Sequence, residues 1–191
     1  MSAGRSSHLA LRRWAVPIAA GLVAEIVAAV LFLGSGVYNV AADAPHLGPV
    51  RVLLDFARRR SIVAQSEAVR PPNDLLSNQR IETGAGLYSA MCAVCHGGPG
   101  LEKTEMAQGL YPAAPDLAKD DSLTPAQQFW TIKHGVKLTA MPAWGRTHPD
   151  SLIWDMVAFL QRLPRLSPDQ YRALVASAPE DHDDMMKGAV H

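Results

Sequence analysis

Two cysteines occur in the 191-residue chain, three positions apart, with a histidine directly after the second: Cys92-Ala93-Val94-Cys95-His96. Two cysteines at this spacing exclude a disulfide-rich scaffold. A structural zinc site wants four ligands, and there is no second cysteine pair to supply them. A redox C-x-x-C wants a thioredoxin-like strand pattern around it, and none is present. The spacing fits the C-x-x-C-H attachment site of a c-type haem. Two thiols three residues apart can each add to one of two neighbouring vinyl groups of the porphyrin. The imidazole of the next residue then lies under the iron. Cys92 and Cys95 are the expected points of attachment of one covalent haem c, and His96 is the expected proximal ligand.

Such attachment takes place outside the cytoplasm, and the N-terminus is suited to export. Arg5, Arg12 and Arg13 precede a 19-residue apolar run, Ala15 to Leu33, interrupted only by Pro17 and Glu25. At about 1.5 Å per residue the run nearly spans the ~30 Å hydrocarbon core. Basic residues before it and none just after it place the N-terminus in the cytoplasm. A cleaved signal peptide is the rival, with Val40-Ala41-Ala42 as the cut. The run, however, exceeds the roughly 7–15 residues of a signal h-region. Trp14 and Tyr38 bracket it as interfacial aromatics do. The expectation is a basic N-terminus over 1–13 and a signal-anchor helix over 14–36. Glu25 near mid-span is either a protonated, tolerated carboxyl or a contact with another transmembrane subunit.

Eighteen Lys+Arg balance eighteen Asp+Glu, which argues against a nucleic-acid binder. The balance hides an asymmetry: residues 1–70 carry eight basic and four acidic groups, and residues 71–191 carry ten and fourteen. Part of the basic excess lies in a predicted helix from Pro49 to about Ala68, with Arg51, Arg58, Arg59 and Arg60. It suits anionic headgroups, an acidic partner surface, or a plain solvated spacer. Arg70-Pro71-Pro72-Asn73 breaks the chain, and the expected domain boundary falls there, leaving 37–77 as basic helix and linker.

Beyond it every strong signal is helical, so the fold class is all-α. A helix over Glu82 to Cys92 leads into the motif. Thr124-Pro125-Ala126-Gln127 is a capping box for a helix carrying Phe129, Trp130 and Ile132, which Gly135 ends in the left-handed conformation. Asp150-Ser151 starts another helix, with Ile153, Met156, Val157 and Leu160 on one face. Ser167-Pro168-Asp169-Gln170 opens a last short one with Tyr171, Leu174 and Val175. The expected haem domain is 78–165, and 166–191 is a short helix with an acidic tail from Glu180 to Asp184. A core of that size is thin, and a covalent porphyrin would supply an apolar body to wrap. Of seven methionines, Met141 alone sits in a loop between helices, stiffened by Pro142. It is the expected distal ligand, with His134 and then His148 as rivals.

Residues 80–165 resemble a monohaem class I cytochrome c, and the whole chain resembles a membrane-anchored bacterial member. Gly84 and Tyr88 match the glycine and aromatic of the family's first helix, which crosses the last one, here containing Trp154 and Phe159. Cys92, Cys95 and His96 match the attachment site, and Met141-Pro142 matches the distal pair. Pro115-Asp116-Leu117 resembles the Pro-x-Leu whose proline carbonyl accepts the proximal imidazole N–H. The stretch from His96 to Pro115 is longer than in the smallest members, so Pro112 is an alternative. Leu117, Trp130, Pro142 and Trp144 are further candidate haem-pocket residues, and Trp144 serves equally as core packing.

The resemblance implies a haem domain in the periplasm, anchored in the inner membrane. His/Met ligation fills both axial positions and raises the potential, so single-electron transfer without bond chemistry is expected, and no enzyme activity. Partners would be a quinol- or substrate-oxidising dehydrogenase and a terminal oxidase. Lys133, Lys137 and Arg146 form a candidate docking cluster. Three hypotheses remain: a tethered carrier, a fixed subunit of a dehydrogenase or oxidase, which Glu25 and the basic helix favour, and a haem enzyme or gas sensor.

Overall fold

The computed structural model describes residues 4–120 and 122–178, and these residues contain helices and no strand. The acidic run at 180–184 lies outside the described residues. The chain divides into two compact units, one ending at Ala44 and the other beginning at Pro45.

The first unit is built on α1 (Gly4–Gly34). Its stretch Trp14–Gly34 has a mean hydropathy of 2.4 and no buried residue, so it is long and apolar enough to cross a membrane.

The second unit holds α2 (Gly48–Ser66), α3 (Asn78–Leu87), a π-helical turn (Tyr88–Cys92), α4 (Ala93–His96), α5 (Glu105–Gln108), α6 (Pro125–His134), α7 (Asp150–Leu160) and α8 (Pro168–Ala176). The two sequence capping boxes form as expected. Thr124 and Gln127 exchange side-chain-to-backbone bonds of 3.4 and 3.0 Å at the start of α6, and Ser167 and Gln170 do the same at 3.2 and 2.9 Å for α8. α6 ends at Gly135 with φ 65° and ψ −172°. This is not the left-handed helical conformation expected, but an extended positive-φ region open essentially to glycine alone. α3 starts four residues before the expected Glu82, because the Ser77 side chain accepts from the Arg80 N–H and caps it. The helix into the motif is also not α-helical throughout. It widens to a π-turn at Tyr88, a register change of the kind found at functional sites.

α7 is apolar nearly all round and is the centre of the core: Ile153, Met156, Val157, Ala158 and Phe159 are all at most 1% exposed. α3 packs across it. At the crossing, a Cβ on Gly84 would lie 1.9 Å from the Asp155 carbonyl oxygen, so the backbones touch and only glycine fits. One turn earlier, Arg80 pairs with buried Asp155 at 2.6 Å and with Asp74 at 3.1 Å. One turn later, the Tyr88 ring lies 5.1 Å from that of Phe159. Trp154 turns the other way and stacks on Phe129 of α6 at 4.1 Å.

The unit exceeds the expected 78–165 at both ends. α2 packs on α6, burying Ile62 and Ser66, and Leu75 joins the core. α8 packs on α3, and its Tyr171 is 4% exposed, 6.3 Å from the Phe159 ring.

Burial is the largest influence on Asp155 and holds its carboxyl above the ordinary range, against the opposing Arg80 hydrogen bond and charge. A carboxyl raised on folding stabilises the native state most at low pH, and that contribution is lost as pH rises through the native value. Arg80→Gln removes the opposing influences and raises the carboxyl further. The variant should lose about 3 kcal/mol at neutral pH, with a smaller deficit in mild acid. Denaturant unfolding at the two pH values checks this, and an equal deficit at both would refute the titration of Asp155.

Candidate haem attachment site

The π-turn delivers Cys92, and α4 carries Cys95 and His96 one turn on. Gly97 follows with φ 69° and turns the chain away. Tyr88 brackets the motif: its backbone precedes Cys92, and its hydroxyl donates to the Gly97 carbonyl at 2.8 Å. Burial raises the Tyr88 pKa well above the phenol range, so the hydroxyl keeps its proton.

Cys92 and Cys95 form no disulfide. Burial, with the neighbouring Cys95 adding to it, pushes the Cys92 thiol up to about 12. Redox C-x-x-C pairs instead have a thiol depressed to roughly 3.5–7.5.

His96 Nδ1 lies 2.9 Å from the carbonyl oxygen of Pro115. A carbonyl only accepts, so Nδ1 carries the hydrogen and Nε2 keeps its lone pair. Burial lowers the His96 pKa, and the Pro115 bond partly opposes it. The ring is therefore neutral at pH 7, in the tautomer that a metal-ligating histidine needs. The choice between prolines resolves to Pro115. Two thiols and a neutral, oriented imidazole fit the donor set of a c-type haem. Among the described residues no cluster of His, Cys, Asp and Glu could hold a metal ion by itself.

The long stretch after His96 folds back on the motif. The Thr104 hydroxyl donates to the Val94 carbonyl at 2.5 Å and also accepts from the Ala107 N–H, capping α5. Met106, on α5, sets its Sδ 3.8 Å from Cys95 Sγ.

Met141 sits in a loop closed on itself. Val136 N–H donates to the Met141 carbonyl at 3.2 Å, Met141 N–H donates to Thr139 Oγ1 at 3.1 Å, and that hydroxyl donates to the Val136 carbonyl at 2.7 Å. Gly135 lies under this loop, where a Cβ would meet Met141 O and Pro142 C at 2.7 Å. The loop is held by hydrogen bonds and close packing, beyond the stiffening expected of Pro142, which is itself exposed.

Cys92, Leu117, Met141 and Trp144 are each half-buried and each pack against the apolar core. Trp130 instead faces the His134 ring, with centroids 5.1 Å apart. Met156 is buried in the core. His148 is buried with Nδ1 2.8 Å from Thr147 Oγ1 and its ring against Trp144. Lys133 leaves the expected docking cluster: its ammonium lies 2.7 Å from Asp150 and over the Phe129 ring. Lys137 and Arg146 remain exposed.

Sequence reasoning missed Thr104, Thr139 and the hydroxyl role of Tyr88. Thr104 carried a signal, a threonine ahead of Glu105 in N-cap position. The other two depend on loop paths. Tyr88→Phe should cost about 1 kcal/mol, the net worth of one buried hydrogen bond, read as a lowered denaturant midpoint of the holoprotein. An unchanged midpoint would mean that the hydroxyl does not hold the motif's exit.

Comparison with known proteins adds one match. Residues 79–160 fit the family model of cytochrome c oxidase, cbb3-type, subunit III. No curated protein and no solved structure matches the chain. The matched segment runs from the first turn of α3 to the last residue of α7 and contains the whole of the geometry above. This segment is a cytochrome c domain with covalently bound haem c as its prosthetic group, and together with one apolar N-terminal helix it makes the chain fit a membrane-anchored class I cytochrome c.

Proposed function

We propose that the protein transfers single electrons between respiratory partners in the periplasm as a membrane-tethered cytochrome with one haem. Haem c supplies a one-electron iron couple. Cys92 and Cys95 would hold it covalently, His96 would ligate the iron through Nε2, and Met141 would be the second ligand. Leu117 and Trp144 line the pocket, and Trp130 and Pro142 have weaker claims. The observation that carries this reading is the 2.9 Å bond from His96 Nδ1 to the Pro115 carbonyl. It fixes the tautomer and orientation of an imidazole that directly follows two thiols at attachment spacing. Met141 would supply the second iron ligand, which would leave no iron position for a substrate and suit electron transfer without bond chemistry.

Met141→Ala should open the distal position. The ferric spectrum should become high-spin or water-ligated, the potential should fall, and the reduced protein should bind carbon monoxide, which the unsubstituted protein should not. His134→Ala should change none of these. A wild-type spectrum and potential in Met141→Ala would exclude Met141 as the ligand. Carbon monoxide binding to the unsubstituted protein would favour the haem enzyme or gas sensor.

A second reading is a fixed subunit of a membrane dehydrogenase or terminal oxidase, favoured by the match to an oxidase subunit family and by Glu25 in the apolar helix. The packing of α2 on α6 sets where a tether can be cut. A chain shortened to begin at Pro45, exported behind a foreign signal, should keep its haem and potential but deliver electrons to membranes more slowly. Tethering gives local concentrations of about millimolar, so excess shortened protein should restore the rate of a tethered carrier. Little restoration would identify the fixed subunit. A chain cut at Asn73 should be markedly less stable, because it lacks α2.

A further inference from the structure

α2 has two apolar faces. One, with Ile62 and Ser66, is buried on the domain. The other is not covered by any described residue: Val52, Leu53, Phe56 and Val63 are 64%, 66%, 64% and 50% exposed. At 3.6 residues per turn these four fall within an arc of about 100°. Arg59 borders that arc and Arg60 lies inside it, three and four positions after Phe56. Among the described residues neither takes part in an ion pair within reach, although the charge of Arg59 is felt by Asp120.

We propose that this face of α2 lies on the anionic headgroup surface of the membrane, with Val52, Leu53, Phe56 and Val63 dipping into the acyl boundary and Arg59 and Arg60 pairing with lipid phosphates. The inference rests on the reading of α1 as a membrane anchor. Three observations select lipid over a second protein. The first is tether length. α1 ends at Gly34 and the second unit begins at Pro45, leaving ten residues between. Fully extended, they reach no more than about 35 Å, so α2 stays close to the bilayer surface. The second is composition along the tether. Val37, Val40 and Leu47 are 72%, 87% and 65% exposed, and they continue the apolar character of the anchor up to α2. The third is charge. α2 carries Arg51, Arg58, Arg59 and Arg60 against Asp55 alone, a net excess of three positive charges, whereas residues 71–191 carry a net excess of four negative charges. An anionic surface attracts the basic helix and repels the remainder, which favours α2 facing the lipid. A helix with an apolar stripe and arginines beside it is the form that lies in the interface plane.

The test uses the full chain with haem, reconstituted into phosphatidylcholine vesicles with or without one-third phosphatidylglycerol. Phe56→Cys and Ser61→Cys each receive a fluorescent thiol label, Ser61 being exposed on another side of α2. The unsubstituted chain, treated alike, sets the labelling background. Flotation with the vesicles is scored first, because it reads the anchor independently of α2. A chain that does not float removes the anchor reading and this inference with it. In floated protein, the label at 56 should be about threefold less quenched by acrylamide in anionic vesicles, and more quenched by lipid-borne nitroxide. The label at 61 should not change. Arg59→Gln with Arg60→Gln should abolish the difference. Equal quenching at 56 and 61, or protection at 56 indifferent to anionic lipid, overturns the proposal. So does protection that appears only in native membranes, which would mark a protein partner.

Discussion

The contact on which the rest of the domain depends is the backbone approach of α3 to α7 at Gly84 and Asp155. Residues 80, 84 and 88 lie on one row of the helix running into the motif, and residues 155 and 159 on the facing row of α7. An ion pair, a glycine notch and an aromatic contact occupy the three positions in turn. Each fails if the helices rotate or slide by one residue, so together they fix the register. The register fixes Tyr88, and Tyr88 fixes both ends of the attachment motif, through the chain before Cys92 and through its hydroxyl to Gly97. The chemistry thus inherits its placement from a helix crossing that contains none of the expected ligands.

Arg80 makes that crossing sensitive to charge. Asp155 is buried, and its carboxyl is held high because burial outweighs the arginine. The pair fixes one register of the crossing, since removing one partner leaves the other uncompensated. Gly84 acts in the same sense, because no larger residue permits this approach of the two backbones.

What was legible in the sequence was coded locally. The capping boxes of α6 and α8 are four-residue patterns, and both form as expected. α7 announced itself by apolar content, and the Cys-x-x-Cys-His motif by spacing. What was not legible depends on contacts distant in sequence or on hydrogen-bond register. The π-turn has no compositional mark. α3 began earlier than expected because Asn78-Gln79-Arg80 carries no apolar signal, although Ser77 was there to cap it. The prolines at 71 and 72 report only a local break in the chain, whereas the burial of Ile62, Ser66 and Leu75 depends on contacts distant in sequence. Lys133 resembled a docking charge because Asp150, seventeen residues on, could not be foreseen as its partner.

The two proposed axial ligands are supported in different ways, and the difference bears on electron transfer. His96 is oriented by a backbone carbonyl, a neutral acceptor. A carboxylate in that place would draw the Nδ1 proton and add negative charge near the iron, stabilising the ferric state. A carbonyl orients without adding that charge, as suits a couple kept at high potential. Met141 has no such partner, since a thioether sulfur is a weak acceptor. Its support comes from its own loop, through the Thr139 hydroxyl, the Val136 amide and the Gly135 notch beneath. A ligand held by its backbone alone stays in place on change of oxidation state only if the loop does not move. In the proposed role of Met141, Gly135 and Thr139 would thus be positioning residues for a bond in which neither takes part.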